Sequence, residues 1–112
     1  MQTEATTRRP QPSFLRQTIR ERVTDMFPRE VNVILLYGSR ARGDANDDSD
    51  WDVLVVLHDH VDPGPVRRRL LELTGDLVER HDELVQFVAL RWKDANDAVG
   101  LVENAAREGV RL

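Results

Sequence analysis

Apolar residues recur along this chain with two distinct periods. From Ser13 to about Phe27 they fall at helical spacing, through Phe14, Leu15, Ile19, Val23, Met26 and Phe27. Ser13 is the expected N-cap, and Pro28 ends the pattern. Residues 31–38, VNVILLYG, are β-branched and almost continuously apolar, as in a central strand covered on both faces. WDVLVVL, residues 51–57, predicts a second such strand. The breaker VDPGPV follows, with Asp62 or Pro65 near the start of a helix predicted over 66–80. Val66, Leu70, Leu73, Leu77 and Val78 are its expected inward residues. ELVQFVAL, residues 83–90, predicts a third strand. From Asp94 to about Glu108 a last amphipathic helix would place Ala98, Leu101, Val102 and Ala105 on one side, with Gly109 ending it.

This order predicts an α/β fold: a small mixed β-sheet of about three to four strands with helices packed against it. The length, 112 residues, fits one domain over 13–112, preceded by a polar, proline-bearing segment 1–12 expected to be flexible. Sixteen basic and twenty acidic residues give a net charge of −4. That balance argues against direct nucleic-acid or membrane binding driven by overall charge. With no cysteine there is no disulfide framework and no thiolate zinc site. No apolar run approaches the roughly 18 residues of a membrane span. The N-terminus lacks the apolar core of a signal peptide, so the expected location is cytoplasmic.

The chemistry concentrates between the first two predicted strands, in LYGSRARGDANDDSDWDVLVV, residues 36–56. Asp50 and Asp52 stand two apart at the mouth of the second strand, so alternation turns both to one face and Trp51 to the other. Two carboxylates so placed repel each other unless a cation lies between them or one is protonated. Magnesium suits such a site, with phosphate supplying further oxygen ligands. Taken alone, an Asp-x-Asp at a strand edge is more readily a solvated edge. Gly38-Ser39 adds a turn whose backbone N–H groups and hydroxyl suit an anion. GSRARG spaces its glycines as a phosphate loop does, but Asp44 stands where that loop needs lysine, which excludes a Walker-type NTPase.

Gly38-Ser39, then Ala41-Arg42-Gly43, then Ser49-Asp50-Trp51-Asp52 resemble the G-S-x-A-R-G…S-D-x-D signature of the minimal nucleotidyltransferases, members of the DNA polymerase beta-like superfamily. The resemblance implies the nucleotidyltransferase fold and a set of roles. Gly38 and Ser39 would contact the triphosphate of ATP, and Asp50 and Asp52 would be the catalytic pair that binds Mg²⁺. Arg42 would support the turn or the phosphates, and Ser49 would brace the aspartate-bearing loop. The implied reaction moves AMP from ATP to a hydroxyl and releases pyrophosphate. Minimal chains of this family are commonly paired with a helical HEPN-domain ribonuclease toxin. The implied role is therefore an antitoxin that adenylylates a tyrosine of its toxin, within a hetero-oligomer.

One departure from the family pattern lies on the third predicted strand, where active members usually offer a third carboxylate and this chain has Gln86. An amide cannot act as a base and ligates metal weakly. Asp82 or Glu83 would substitute only after a shift in register, and an odd shift turns the side chain to the other face. An alternative reading is therefore a catalytically weak or inactive antitoxin that neutralises its partner by binding alone. Transfer to a small molecule such as an aminoglycoside is a further alternative, disfavoured by the lack of room for an acceptor-binding domain.

The remaining candidates read as structural. His58 and His60 fit a solvent-facing loop better than a metal site, and His81 carries no assigned role. The basic run Arg67-Arg68-Arg69 fits a solvated helix face. Asp44, Asp47 and Asp48 fit loop solvation, Tyr37 either a base-stacking or a core position, and Trp92 an edge or an interface.

Overall fold

The computed structural model describes residues 11–38, 50–95 and 110–112. Helix α1 (Pro12–Met26) leads into strand β1 (Val31–Tyr37), which pairs antiparallel with β2 (Trp51–Leu57). Helix α2 (Pro63–His81) then crosses back to β3 (Val85–Arg91), which lies parallel to β2. A single turn, α3 (Trp92–Ala95), follows, and β4 (Val110–Arg111) pairs antiparallel with β1. The sheet order is β3-β2-β1-β4, a mixed sheet as predicted.

Helix α1 buries Leu15, Ile19 and Val23, one residue per turn on a single stripe. Its start differs from the prediction. Gln11, not Ser13, is the N-cap and makes no side-chain capping bond. Pro12 fits the first turn, where no backbone N–H is needed. Phe14 lies off the buried stripe, 52% exposed, and meets His81 edge-on with ring centroids 6.0 Å apart.

Helix α2 begins three residues earlier than predicted. Asp62 caps it by accepting the Gly64 N–H at 3.1 Å, and Pro63 and Pro65 are tolerated because the first turn has no N–H partners to lose. Val66, Leu70, Leu73 and Leu77 point inward as expected. Val78 does not: it is exposed, one position off the stripe. Asp82 ends the helix in the left-handed region at φ 55°, with its N–H on the Val78 carbonyl. That turn delays the third strand to residue 85.

The sheet separates two apolar layers. Trp51, Val53, Val55 and Leu57 of β2 join Leu36, Val85 and Ala89 against α1 and α2 in the larger core. On the opposite face Leu54 and Val56 are buried among Val33, Leu35, Val88 and Leu90. Register explains the second layer: Leu35, Leu54 and Val88 form one cross-strand row, and Val33, Val56 and Leu90 form the next. Only β2 is buried along both faces; in β1 just Ile34 and Leu36 are fully buried. The expectation of full coverage thus holds for β2 and not for β1, because β2 has full-length neighbours on both sides.

Of the helix predicted over 94–108, only its first residues fall within α3, and residues 96–109 lie outside the described residues, as does most of segment 1–12. β4 was not separately predicted, and it accounts for the upper bound of four strands; Leu112 also donates its N–H to the Ile34 carbonyl at 2.9 Å. No described helix is long and apolar enough to cross a membrane. Leu77→Ala is expected to destabilise the fold by about 2–5 kcal/mol, since the side chain is wholly buried between α2 and the sheet; urea unfolding measures it.

Candidate active site

The row that continues the second apolar layer toward the start of β2 is polar. Tyr37, Asp52 and Gln86 are direct cross-strand partners on β1, β2 and β3, so their side chains share one face. Asp52 therefore projects from the face of Leu54 and Val56, while Trp51 is buried against the helices.

Asp50 stands one residue before β2 and is exposed. Gln86 ties it to the row: its Nε2 donates to Asp50 Oδ2 at 2.9 Å. An ionised carboxylate offers only acceptors, so the amide presents its nitrogen there. The two aspartates are close enough to feel each other. Burial first, and the Asp50 charge second, push the Asp52 carboxyl above its ordinary value. Burial, with Asp52 as the second cause, likewise raises the Tyr37 hydroxyl.

Gly38 closes the site from the β1 side. Its φ of +77° lies in the left-handed region, and a Cβ there would sit 2.7 Å from Asp52 Oδ2. Glycine thus meets two demands at once: the backbone turns where other residues strain, and it passes against the carboxylate.

The structure thus brings together Gly38, Asp50, Asp52 and Gln86. Ser39, Arg42 and Ser49, with Asp44, Asp47 and Asp48, lie outside the described residues. Neither Asp82 nor Glu83 joins the pair. Asp82 ends α2, and Glu83 is buried, accepting from Trp51 Nε1 at 2.6 Å. No group of three or more His, Cys, Asp or Glu side chains suited to a metal occurs among the described residues. The donor set here is two hard carboxylates, with Asp52 lifted by burial first and by the Asp50 charge second, which fits a divalent cation with phosphate completing its shell. The glycine beside Asp52 lets the backbone pass against that carboxylate, where a Cβ on any other residue would collide with it.

The other candidates fall elsewhere. His58 and His60 stack with centroids 5.9 Å apart just beyond the other end of β2. The arginine run is more engaged than a solvated face: Arg67 donates from both Nε and Nη2 to the Ala89 carbonyl, and Arg69 lies over the Phe27 ring at 5.1 Å. Trp92 is exposed. What the sequence does not show is the partner of Glu83: its odd offset from Gln86 turns it to the other face, and there it meets the Trp51 indole.

A family described as polymerase beta, nucleotidyltransferase matches residues 17–112. Among solved structures, a toxin–antitoxin crystallised with AMP-PNP is similar at 24% identity and TM-score 0.62, over 85% of this chain and 69% of that one. A mutant form of the toxin–antitoxin MntA-HpeT is similar at 22% identity and TM-score 0.62, again over 85% of this chain and 69% of the other. A candidate nucleotidyltransferase from Sulfolobus solfataricus aligns with 99% of this chain and 87% of its own, at 21% identity and TM-score 0.55. No curated protein sequence matches. Gly38→Ala is expected to cost about 1–2 kcal/mol from the left-handed backbone alone, and the added methyl should displace the Asp52 carboxylate; denaturant unfolding reads the first effect, and the carbon-13 shift of the Asp52 carboxyl the second.

Proposed function

Because the chain belongs to the polymerase beta nucleotidyltransferase family, we propose that it transfers AMP from ATP, with magnesium, to a tyrosine hydroxyl of a HEPN-type ribonuclease toxin and so acts as that toxin's antitoxin. The observation that carries the reading is the pairing of Asp50 and Asp52 beside the Gly38 turn. Two of the fold neighbours come from toxin–antitoxin pairs, and one was crystallised with AMP-PNP, which supports both the partner and the nucleotide.

In the proposed step the acceptor oxygen bonds to the α-phosphorus of ATP as the bond from that phosphorus to the bridging oxygen breaks. The electron pair leaves with pyrophosphate, and the hydroxyl proton passes to solvent. Magnesium held by Asp50 and Asp52 would neutralise charge on the phosphate oxygens. Gly38 lets the backbone approach the phosphates, Asp50 and Asp52 fix the negative side of the site, and Gln86 restrains Asp50 through Oδ2. The Gln86 amide cannot accept a proton, so among the described residues the third strand supplies positioning and charge to the site and no base.

Incubation with labelled ATP, Mg²⁺ and the toxin is expected to label the toxin. Asp50→Ala with Asp52→Ala should abolish the transfer. No label, or label unchanged in that double variant, overturns the reading. Gln86→Asp should raise the transfer rate at least about tenfold by supplying a base, measured in single turnover.

A second reading has its own observation. Gln86 stands opposite Asp52 and gives an amide N–H to Asp50, and no third carboxylate joins the pair among the described residues. On that reading the chain neutralises its partner by binding alone, and the double aspartate variant should still protect cells from the toxin. Loss of protection with the complex intact excludes it.

A further inference from the structure

The stretch that leads from α2 into β3 grips the start of β2 from both sides of the sheet. Below, on the helix side, Glu83 Oε2 accepts from Trp51 Nε1 at 2.6 Å. In the plane of the sheet, the Leu84 carbonyl accepts the Trp51 backbone N–H at 2.9 Å. Above, Gln86 Nε2 donates to Asp50 Oδ2 at 2.9 Å. Residues 83–86 therefore hold Asp50 and Trp51 on three sides, and Asp52 follows as the next residue in register with Gln86.

Glu83 is the one buried polar or charged side chain among the described residues, 7% exposed, and Trp51 is 1% exposed. A carboxylate taken out of water at this depth is costly unless it is well bonded, and a leucine of similar size would suit the surrounding apolar layer. What Glu83 adds that leucine cannot is direction. It fixes the indole's rotation, and the indole is the side chain between the two aspartates. Trp51 is peptide-bonded to both Asp50 and Asp52, so the seat of its indole bears on the backbone that carries the two carboxylates.

We propose that Glu83 is a positioning residue: through its hydrogen bond to Trp51 it sets the spacing of the Asp50 and Asp52 carboxylates for a divalent cation. This rests on the reading of Asp50 and Asp52 as the metal pair. Asp50, Trp51 and Asp52 are consecutive residues at the start of β2. Glu83 orients that stretch from beneath and Gln86 from above.

The test is Mn²⁺ uptake by the full chain, read from water-proton relaxation, with circular dichroism checking the fold. Glu83→Leu is expected to weaken Mn²⁺ binding about tenfold, the range for a lost outer-shell partner of a metal ligand. Trp51→Phe should weaken it to the same degree, and the double variant should be no worse than either single one. Glu83→Gln keeps an acceptor oxygen and should stay within about threefold of the wild type on the same outer-shell scale. Wild-type affinity in Glu83→Leu, or a Glu83→Gln variant as weak as Glu83→Leu, overturns the inference. If Glu83→Leu fails to fold, wild-type affinity in Trp51→Phe overturns it instead. Uptake that survives Asp50→Ala with Asp52→Ala overturns the metal pair itself and this inference with it, so the two failures are distinguishable.

Discussion

The in-register pairing of β2 with β3 is the constraint on which the site depends. It puts Gln86 opposite Asp52 and Val85 opposite Trp51, so that one strand supplies a polar neighbour above the sheet and an apolar one below. The pairing is parallel and therefore needs a crossover, which α2 provides. Arg67 and Thr74 of α2 reach the Ala89 and Val85 carbonyls of β3, fastening the crossover helix along the strand it leads to. A slip of one residue would exchange Gln86 for an apolar neighbour and turn the buried set of β3 outward, so the large core on the helix side enforces the geometry of the small polar row on the other.

The two faces of the sheet do different physical work. The helix side carries most of the burial, with Leu15, Ile19, Leu57, Leu77 and Val85 wholly enclosed. Each such side chain contributes about 1.5–3 kcal/mol relative to exposure, which leaves the fold able to hold two carboxylates in repulsion. The opposite face is apolar for two rows and then changes to Tyr37, Asp52 and Gln86. Asp52 thus sits at the boundary between a dry layer and solvent, where burial and the neighbouring charge act in the same direction on its carboxyl.

Much of this was legible because it follows from local spacing. The alternation in WDVLVVL located β2 and turned Trp51 away from Asp52, and the apolar stripe of α2 was readable at Val66, Leu70, Leu73 and Leu77. Boundaries were less legible: the first turn of a helix needs no N–H donors, so Pro12 and Pro63 begin helices where a sequence reading stops or waits. The nearness of Gly38 to Asp52 was expected from the motif, but not that a single added carbon would meet its Oδ2. In the sequence Glu83 reads as a spare carboxylate because its partner, Trp51, is 32 residues away in the chain, and the fold is needed to bring the two together.

Gln86 shows how charge and chemistry compete in such a row. A carboxylate in its place would put a third negative charge beside Asp52, whose ionised form is already disfavoured, and would face Asp50 as a repelling neighbour instead of a donor. The amide removes that repulsion and makes a hydrogen bond that holds Asp50 in the absence of any cation. What it gives up is a base and a third oxygen ligand of full charge. Without metal, the site is therefore less repulsive than a three-carboxylate site would be, and any chemistry on the proposed reading would lean more heavily on the position of two aspartates. The buried Glu83 beneath Trp51 is the counterpart of that dependence: were Asp50 and Asp52 to hold a cation with no third carboxylate on β3, the seat of the strand that carries them would matter more, and Glu83 fastens it through the indole.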